Sequence, residues 1–505
     1  MKCRTIYLQK HYICRSADLK TLFHRQDVKA QKHIPMKKLI FTLVVFLFFY
    51  IPAFSQPVDL VKAQELVVIR LKAAGMDGQY TIRSPEFYQD PAGSGLVFLF
   101  HLSPQGYMVV PGKMELPPVL AYSFTNDPDP EGRLVSLVKA DLLLRLKYQP
   151  ETMKERNRQA WETIGENQAT SPLFQQWPPA GTTSTGGWLE TNWTQDSPYN
   201  QLCPMDLVTG VRSIAGCPAV AMAQIVNFHK TIHGVHFTDE DDYYHQYAGR
   251  NFMIDDDWAT VDFPSFPMLN GYLDTLQISY DNGVPLKNRD KAALTFACGV
   301  AATQVYTSSG SGTFGVSQAF EAYQKFNFSD ADLLVEADTD LYPRMAQNIK
   351  DILPVHLAVV DPSWSTGHNV VVDGYNTNEY FHLNFGWGGA SNGWYLLPEG
   401  FPYGLTVVEG AIVDINPDFP TGIAEKHLQP ELFYPNPASD RLQISAGNAG
   451  YSSADLFSPD GRLQLTVNLD QAVTTIDLTG FRNGIYLIRM YGTDGVTSGK
   501  LLIRR

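Results

Sequence analysis

Gly216-Cys217-Pro218-Ala219-Val220-Ala221-Met222-Ala223-Gln224 opens an apolar, Ala-rich run that reads as a buried helix beginning at the cysteine. Gly216 and Pro218 mark the boundary, because proline is tolerated in a first helical turn, where its missing N–H has no partner to lose. A thiol at a helix N-terminus feels the positive end of the macrodipole and unpaired backbone N–H groups, which favour the thiolate. The same N–H groups suit an oxyanion, so the segment predicts nucleophilic acyl chemistry at Cys217. A lone cysteine in an Ala-rich helix is more often core, since free cysteine is among the most buried residue types. The partner that decides between these readings stands roughly 150 residues downstream, the separation expected of a Cys/His pair joined only by the fold.

That partner is His368, in Ser365-Thr366-Gly367-His368-Asn369-Val370-Val371-Val372-Asp373-Gly374-Tyr375. A turn delivers His368 to the start of a β-branched strand over 369–372, where a rigid sheet fixes the ring and leaves one side open for general-base work. A second strand follows in Tyr380-Phe381-His382-Leu383-Asn384-Phe385, then Gly386-Trp387-Gly388-Gly389. Alternation puts His382 and Asn384 on one face, so one of them is expected to point toward His368. A neutral amide or an aromatic edge would orient the imidazole, which makes Asn384 the candidate third group, with Phe385 and Trp387 as rivals. The glycines around Trp387 predict a tight turn that lets its indole cover the site.

The 505 residues, 44% of them hydrophobic, exceed one ordinary domain. A net charge of −13 without a basic stripe excludes nucleic acid as an expected partner. The five cysteines, Cys3, Cys14, Cys203, Cys217 and Cys298, form no CxxC or zinc-ligand spacing, so no metal, cofactor or disulfide framework is expected. His229 and His233 stand four apart, but Lys230 occupies the place where a zinc peptidase carries glutamate. The acidic runs 239–242 and 255–257 follow no calcium-loop spacing. Gly310-Ser311-Gly312 reads as a flexible loop near the cleft, with Phe314 and Gln318 beginning a helix beyond it.

Met36-Lys37-Lys38 and the apolar run after it predict a signal peptide over 36–55, with residues 1–35 a misassigned upstream start. Helical periodicity at 58–74 and 134–148, and strand text at 96–102 and 107–110, predict a first folded unit over 56–150. Residues 151–187 read as a linker carrying the maturation cleavage, 188–417 as the Cys217 unit, and 418–430 as a second linker broken by Pro420 and Pro430. Short strands at 442–445, 454–458, 463–468, 474–477, 484–491 and 499–504 predict a β-sandwich over 431–505.

These blocks resemble the streptopain family of bacterial cysteine peptidases, papain-like in fold and made as zymogens. The likeness rests on Gly216-Cys217 with Ala221-Met222-Ala223-Gln224-Ile225, and on Gly367-His368 through Asp373-Gly374. It extends to His382 through Gly389, and to Asn192-Trp193-Thr194-Gln195 with Pro198-Tyr199-Asn200, covering about 57–417. The resemblance implies an α+β fold, a helical half plus an antiparallel β half. It makes Cys217 the nucleophile, His368 the base and Gln195 the side-chain oxyanion donor, with Gly367, Phe385 and Trp387 in support. It also implies that 56–150 is an inhibitory pro-domain, through Gly106-Tyr107-Met108-Val109-Val110 and Pro117-Pro118-Val119-Leu120-Ala121-Tyr122-Ser123. The sequence departs from the family at Phe385, where tryptophan is frequent, at Pro218, and in the less aromatic text of 353–359. Residues 431–505 resemble the sorting domain of type IX secretion, through Tyr434-Pro435-Asn436-Pro437-Ala438, Asn483 to Arg489 and Gly499 to Arg505. The expected function is a secreted cysteine endopeptidase acting on proteins or peptides, with its own pro-domain and the type IX machinery as partners. The rival readings are a silent surface-binding protein on a peptidase fold and a Cys–His acyl transferase.

Overall fold

The computed structural model describes residues 57–163, 174–361, 367–400, 406–417, 433–445, 451–458, 462–492 and 495–505. The expected signal peptide, the stretch before it and the 418–430 linker lie outside the described residues.

Helix α1 (Leu60–Ala73) starts at Asp59, whose carboxylate accepts the Lys62 N–H at 2.8 Å, and it buries Ala63, Leu66, Val67 and Leu71 as one stripe. An antiparallel run follows: β1 (Thr81–Ile82), β2 (Glu86–Gln89), β3 (Gly95–Ser103), β4 (Tyr107–Pro111) and β5 (Ala121–Ser123). Two helices close the region, α2 (Arg133–Tyr148) and α3 (Glu151–Glu162). Helix α3 corrects the expected linker over 151–187. It carries no apolar stripe, and is held by Asn157 and Trp161, which donate to the Glu115 and Leu116 carbonyls at 2.7 and 2.9 Å. Its outer face carries Arg158 bridged to Glu151 and Glu155, pairing that periodicity of apolar residues does not detect.

Beyond β6 (Gln176–Trp177), the helical half is built on α4 (Cys217–His229). Around it stand the hairpin β7 (Tyr244–Tyr247) and β8 (Arg250–Met253), the short α5 (Trp258–Val261), then α6 (Phe266–Asp281), α7 (Asn288–Ala301) and α8 (Val316–Lys325). Phe314 precedes α8 rather than starting it, and is 70% exposed. The β half comprises β9 (Asp332–Val335), α9 (Leu341–Lys350), β10 (Val355–Val360), β11 (Gly367–Asn376), β12 (Tyr380–Asn384), β13 (Gly393–Leu396) and β14 (Val408–Val413).

These strands and the N-terminal ones form a single sheet in the order β1-β3-β4-β5-β13-β12-β11-β10-β14-β9, with β2 paired to β3 and β6 to β11. The N-terminal region is therefore not a detached unit. Strand β5 pairs with β13 through Tyr122 opposite Trp394 and Ala121 opposite Tyr395, and Arg145 of α2 donates to the Leu396 carbonyl at 2.7 Å. One apolar core runs from Leu96, Tyr107 and Leu142 into Val370, Val372, Leu383 and Phe385. A second core fills the helical half and takes Val371 and Ala358 from the opposite face of the same strands.

The C-terminal strands are β15 (Phe433–Tyr434), β16 (Arg441–Ile444), β17 (Tyr451–Phe457), β18 (Leu463–Asn468), β19 (Thr474–Asp477), β20 (Gly484–Gly492) and β21 (Gly495–Ile503). They make a three-stranded sheet β15-β16-β19 and a four-stranded sheet β18-β17-β20-β21 around one core of Leu442, Ile444, Leu456, Ile488 and Leu501. The expected strands are all present, with shifted ends at β17 and a longer β21.

Candidate active site

Cys217 is the first residue of α4, preceded by Gly216 at φ 85°. A side chain at Gly216 would be strained there and would meet Gln304 Oε1 at 2.5 Å, so glycine is required at this turn. Helix α4 is buried along almost its whole length and ends at Lys230, whose φ of 58° is left-handed. The half-buried Gln195 is held beside the turn because its carbonyl accepts the Ala215 N–H at 2.8 Å. The 310–312 loop borders the turn too, since a methyl on Gly312 would stand 4.0 Å from Pro218 Cδ.

His368 is buried near the start of β11, and its Nε2–H donates to the Phe385 carbonyl at 2.9 Å. The imidazole stacks on Trp387 at 4.6 Å between ring centroids and lies 5.9 Å from the Phe385 ring. Arg133, from the first turn of α2, stands 4.3 Å over the Trp387 ring. Asp129 fixes that guanidinium at 2.7 and 3.2 Å, and its own N–H donates to Ser391 Oγ at 2.9 Å. The N-terminal region thus reaches the site through Asp129 and Arg133, which the sequence reading did not single out.

Among the described residues no hydrogen bond joins His368 to Cys217; the sulfur is met instead by Asn369 Nδ2 at 3.9 Å. Burial pushes the His368 imidazole down to about 4, against the upward pull of the Phe385 carbonyl, with Arg133 adding to the depression. Burial also pushes the Cys217 thiol up, outweighing the hydrogen bonds from Asn369 and from its own backbone. The expected thiolate is therefore not favoured in this state, because desolvation exceeds what the helix terminus and the donors supply.

Asn384 does not face His368. Its Nδ2 donates to the Thr191 carbonyl at 2.8 Å, while its Oδ1 lies 3.3 Å from Gln224 Nε2 and 3.1 Å from the Gly386 N–H. It ties the 191–193 segment and the following turn to α4. His382 points to Asp373 instead, with Nδ1 at 2.6 Å from Oδ1. Asp373 in turn accepts the Leu189 N–H at 3.1 Å through Oδ2 and the Trp188 N–H at 2.7 Å through its carbonyl. Of the three candidates for orienting His368, Phe385 and Trp387 touch it, through a carbonyl and an indole face. Gly386, at φ 65° and 3.0 Å from Val220 for an added Cβ, lets that turn approach α4. Gly367 begins β11 and is exposed. His233 lies beyond the end of α4 at φ 50°, so it does not share a helical face with His229.

A thiol on the first residue of a buried helix, packed against an antiparallel sheet whose adjoining strand carries an imidazole, defines a papain-like cysteine peptidase. Residues 193–395 match the Peptidase C10 family, and residues 432–504 match the secretion system C-terminal sorting domain. Residues 193–395 thus form a C10 (streptopain-family) cysteine peptidase domain, and residues 432–504 a type IX secretion sorting domain. Streptopain of Streptococcus pyogenes is 24% identical over 354 residues, covering 63% of this chain and 78% of the relative. The thiol protease/hemagglutinin PrtT of Porphyromonas gingivalis is 29% identical over 214 residues, 41% of this chain and 23% of the relative. Among solved structures, a prointerpain A fragment of Prevotella intermedia is 19% identical, covers 66% of this chain and 98% of its own, and has a TM-score of 0.43. The sorting domain makes the protein secreted or attached at the outer-membrane surface.

Proposed function

We propose that this chain is the latent form of an endopeptidase in which Cys217 is the nucleophile, His368 the general base and Gln195 the side-chain oxyanion donor. Residues 57–162 act as its inhibitory pro-domain. The observation that carries this reading is the engagement of His368 by the Phe385 carbonyl and by Trp387, which Arg133 of the N-terminal region covers. Removing that region takes away Arg133, which stands over Trp387, and Asp129, which fixes Arg133, so the indole stacked on the imidazole loses its cover. Cleavage falls between 163 and 187, beyond α3 and before the Trp188–Asp373 anchor.

In the released enzyme His368 takes the Cys217 proton, and the thiolate attacks the scissile carbonyl carbon. The oxyanion is held by the Cys217 backbone N–H and the Gln195 side chain. His368 then gives its proton to the leaving amine as the C–N bond breaks. Water hydrolyses the thioester, releasing the acid and restoring the thiol. Phe385 and Trp387 shape the imidazole's surroundings, Gly367 gives its strand end room, and Asn384 supports the site by holding Thr191 and Gln224. The substrates are proteins or peptides, and the type IX machinery is the export partner.

The test is expression of residues 56–505 as wild type and as Cys217→Ala, with mass and casein cleavage followed over time. Self-shortening by about the N-terminal region and internal cuts in casein are expected from wild type alone. A chain that stays inert after the N-terminal region is clipped off would overturn the assignment.

A further inference from the structure

Next to His368, the half-buried Asn369 has no role in the mechanism above, yet it is the residue that reaches the nucleophile. Strand alternation explains why. His368 shares the face of Val370 and Val372, whereas Asn369 shares that of Val371, which packs in the helical half with α4. On the neighbouring β10, Ala358 is the register partner of Asn369 and lies in the same core, and His356 shares its face. The geometry points to Asn369 as a positioning residue for Cys217, the last member of a donor chain Tyr323–His356–Asn369 that aims an amide N–H at the sulfur. This inference rests on the reading of Cys217 as nucleophile.

The direction of the chain follows from hydrogen-bond chemistry alone. His356 Nε2 stands 2.8 Å from Asn369 Oδ1, and an amide oxygen only accepts, so Nε2 carries the proton. His356 Nδ1 is then the acceptor in the neutral ring, and the Tyr323 hydroxyl at 3.2 Å must donate to it. With Oδ1 occupied by His356, Asn369 presents Nδ2 to Cys217 Sγ at 3.9 Å. Every donor in the series points toward the sulfur. Both distal members are fully buried, and burial holds the His356 imidazole down to about 4, so the ring stays neutral and its tautomer persists. Hydrogen bonds strengthen when the acceptor is charged, and polarised chains reinforce one another, so the series favours thiolate over thiol.

The titratable side chains buried on the elements packed against α4 are Asp290 and Cys298 on α7, Tyr323 on α8, His356 on β10, and His368 and Asp373 on β11. Asp129 and Arg133 act on His368 from the N-terminal region. Only Asn369 among the side chains of these elements hydrogen-bonds the sulfur among the described residues.

The experiment is the pH dependence of Cys217 alkylation by iodoacetamide, read by mass at the Cys217 peptide. It uses the 56–505 chain and its matured product, with Asn369→Ala and Tyr323→Phe, and Cys217→Ala as the blank. The alkylation midpoint should rise by about one pH unit in Asn369→Ala. It should rise by less in Tyr323→Phe, which removes only the far donor. Midpoints equal to wild type in both folded variants overturn the inference. If Asn369→Ala does not fold, Tyr323→Phe decides by the same sign, because it deletes a single oxygen. Failure of the underlying reading looks different: casein cleavage would survive in Cys217→Ala, whatever the midpoints of the other variants.

Discussion

Burial pushes the Cys217 thiol up and the His368 imidazole down, because each is desolvated more than its donors and neighbours compensate. A helix N-terminus prepares a site for negative charge, but the charge appears only when solvent, substrate or a protonated imidazole arrives to share it. Cys217 and His368 could be singled out from the sequence as the proposed pair, because a cysteine at a helix start and a histidine at a strand start are local facts. Asn369 was not legible as a neighbour of the sulfur, because the face a strand residue presents depends on what packs there. Asn384 illustrates the same limit from the other side: alternation placed it correctly with His382 on one face, and that face meets Thr191, Gln224 and Asp373 rather than His368. The prediction at this scale concerns Gln195, beside the α4 turn. Gln195→Ala in the matured protein should lower kcat on casein by about 100-fold or more, with residual turnover above the Cys217→Ala background. Unchanged kcat would remove it from the oxyanion site.

Strand β5 joins the N-terminal region to the catalytic sheet, and at Gly393 that region comes too close for a side chain. A methyl there would meet the Tyr122 carbonyl at 2.7 Å, the Tyr107 hydroxyl at 2.9 Å and Ser123 Cβ at 3.0 Å, all from the N-terminal region. Tyr107 also donates to the Ser391 carbonyl at 2.6 Å and contacts the Tyr395 hydroxyl. Gly393→Ala should therefore lower the melting temperature of the uncleaved chain and speed its self-shortening several-fold, by a steric cost of about 1–3 kcal/mol. The matured enzyme, lacking those three neighbours, should keep wild-type kcat/KM on casein. Equal loss in both forms would refute the argument. The strands themselves were readable from their β-branched and aromatic text, but the partner of β5 was not, since an edge strand carries no mark of the edge it will meet. Helix α3 escaped for a different reason, being held by Asn157 and Trp161 on two carbonyls, with ion pairs on its outer face, rather than by an apolar stripe.

Among the described residues, buried imidazoles held below their ordinary value contribute to the response to acid. His229, His356 and His368 are each pushed down to about 4, chiefly by desolvation, against an ordinary value of about 6.5. Between those values the unfolded chain binds protons that the fold refuses, so their contribution is complete above about 6.5 and is lost as pH falls toward about 4. The melting temperature of the Cys217→Ala chain, which cannot shorten itself, should fall through that window. Exchanging His356 for glutamine should flatten part of the slope, and a profile that stays level from about 6.5 to about 4 would contradict the assignment. The sequence by itself determined the reaction class, the helical and β halves and the C-terminal β region, because periodicity, helix boundaries and residue chemistry are local. Only the tertiary structure decided that one sheet and one core run through both the N-terminal region and the catalytic half. It alone decided that His368 rests on a carbonyl while Asn369 meets the sulfur. Strand partners, burial and the face a side chain presents are properties of contacts between distant residues, and no local pattern encodes them.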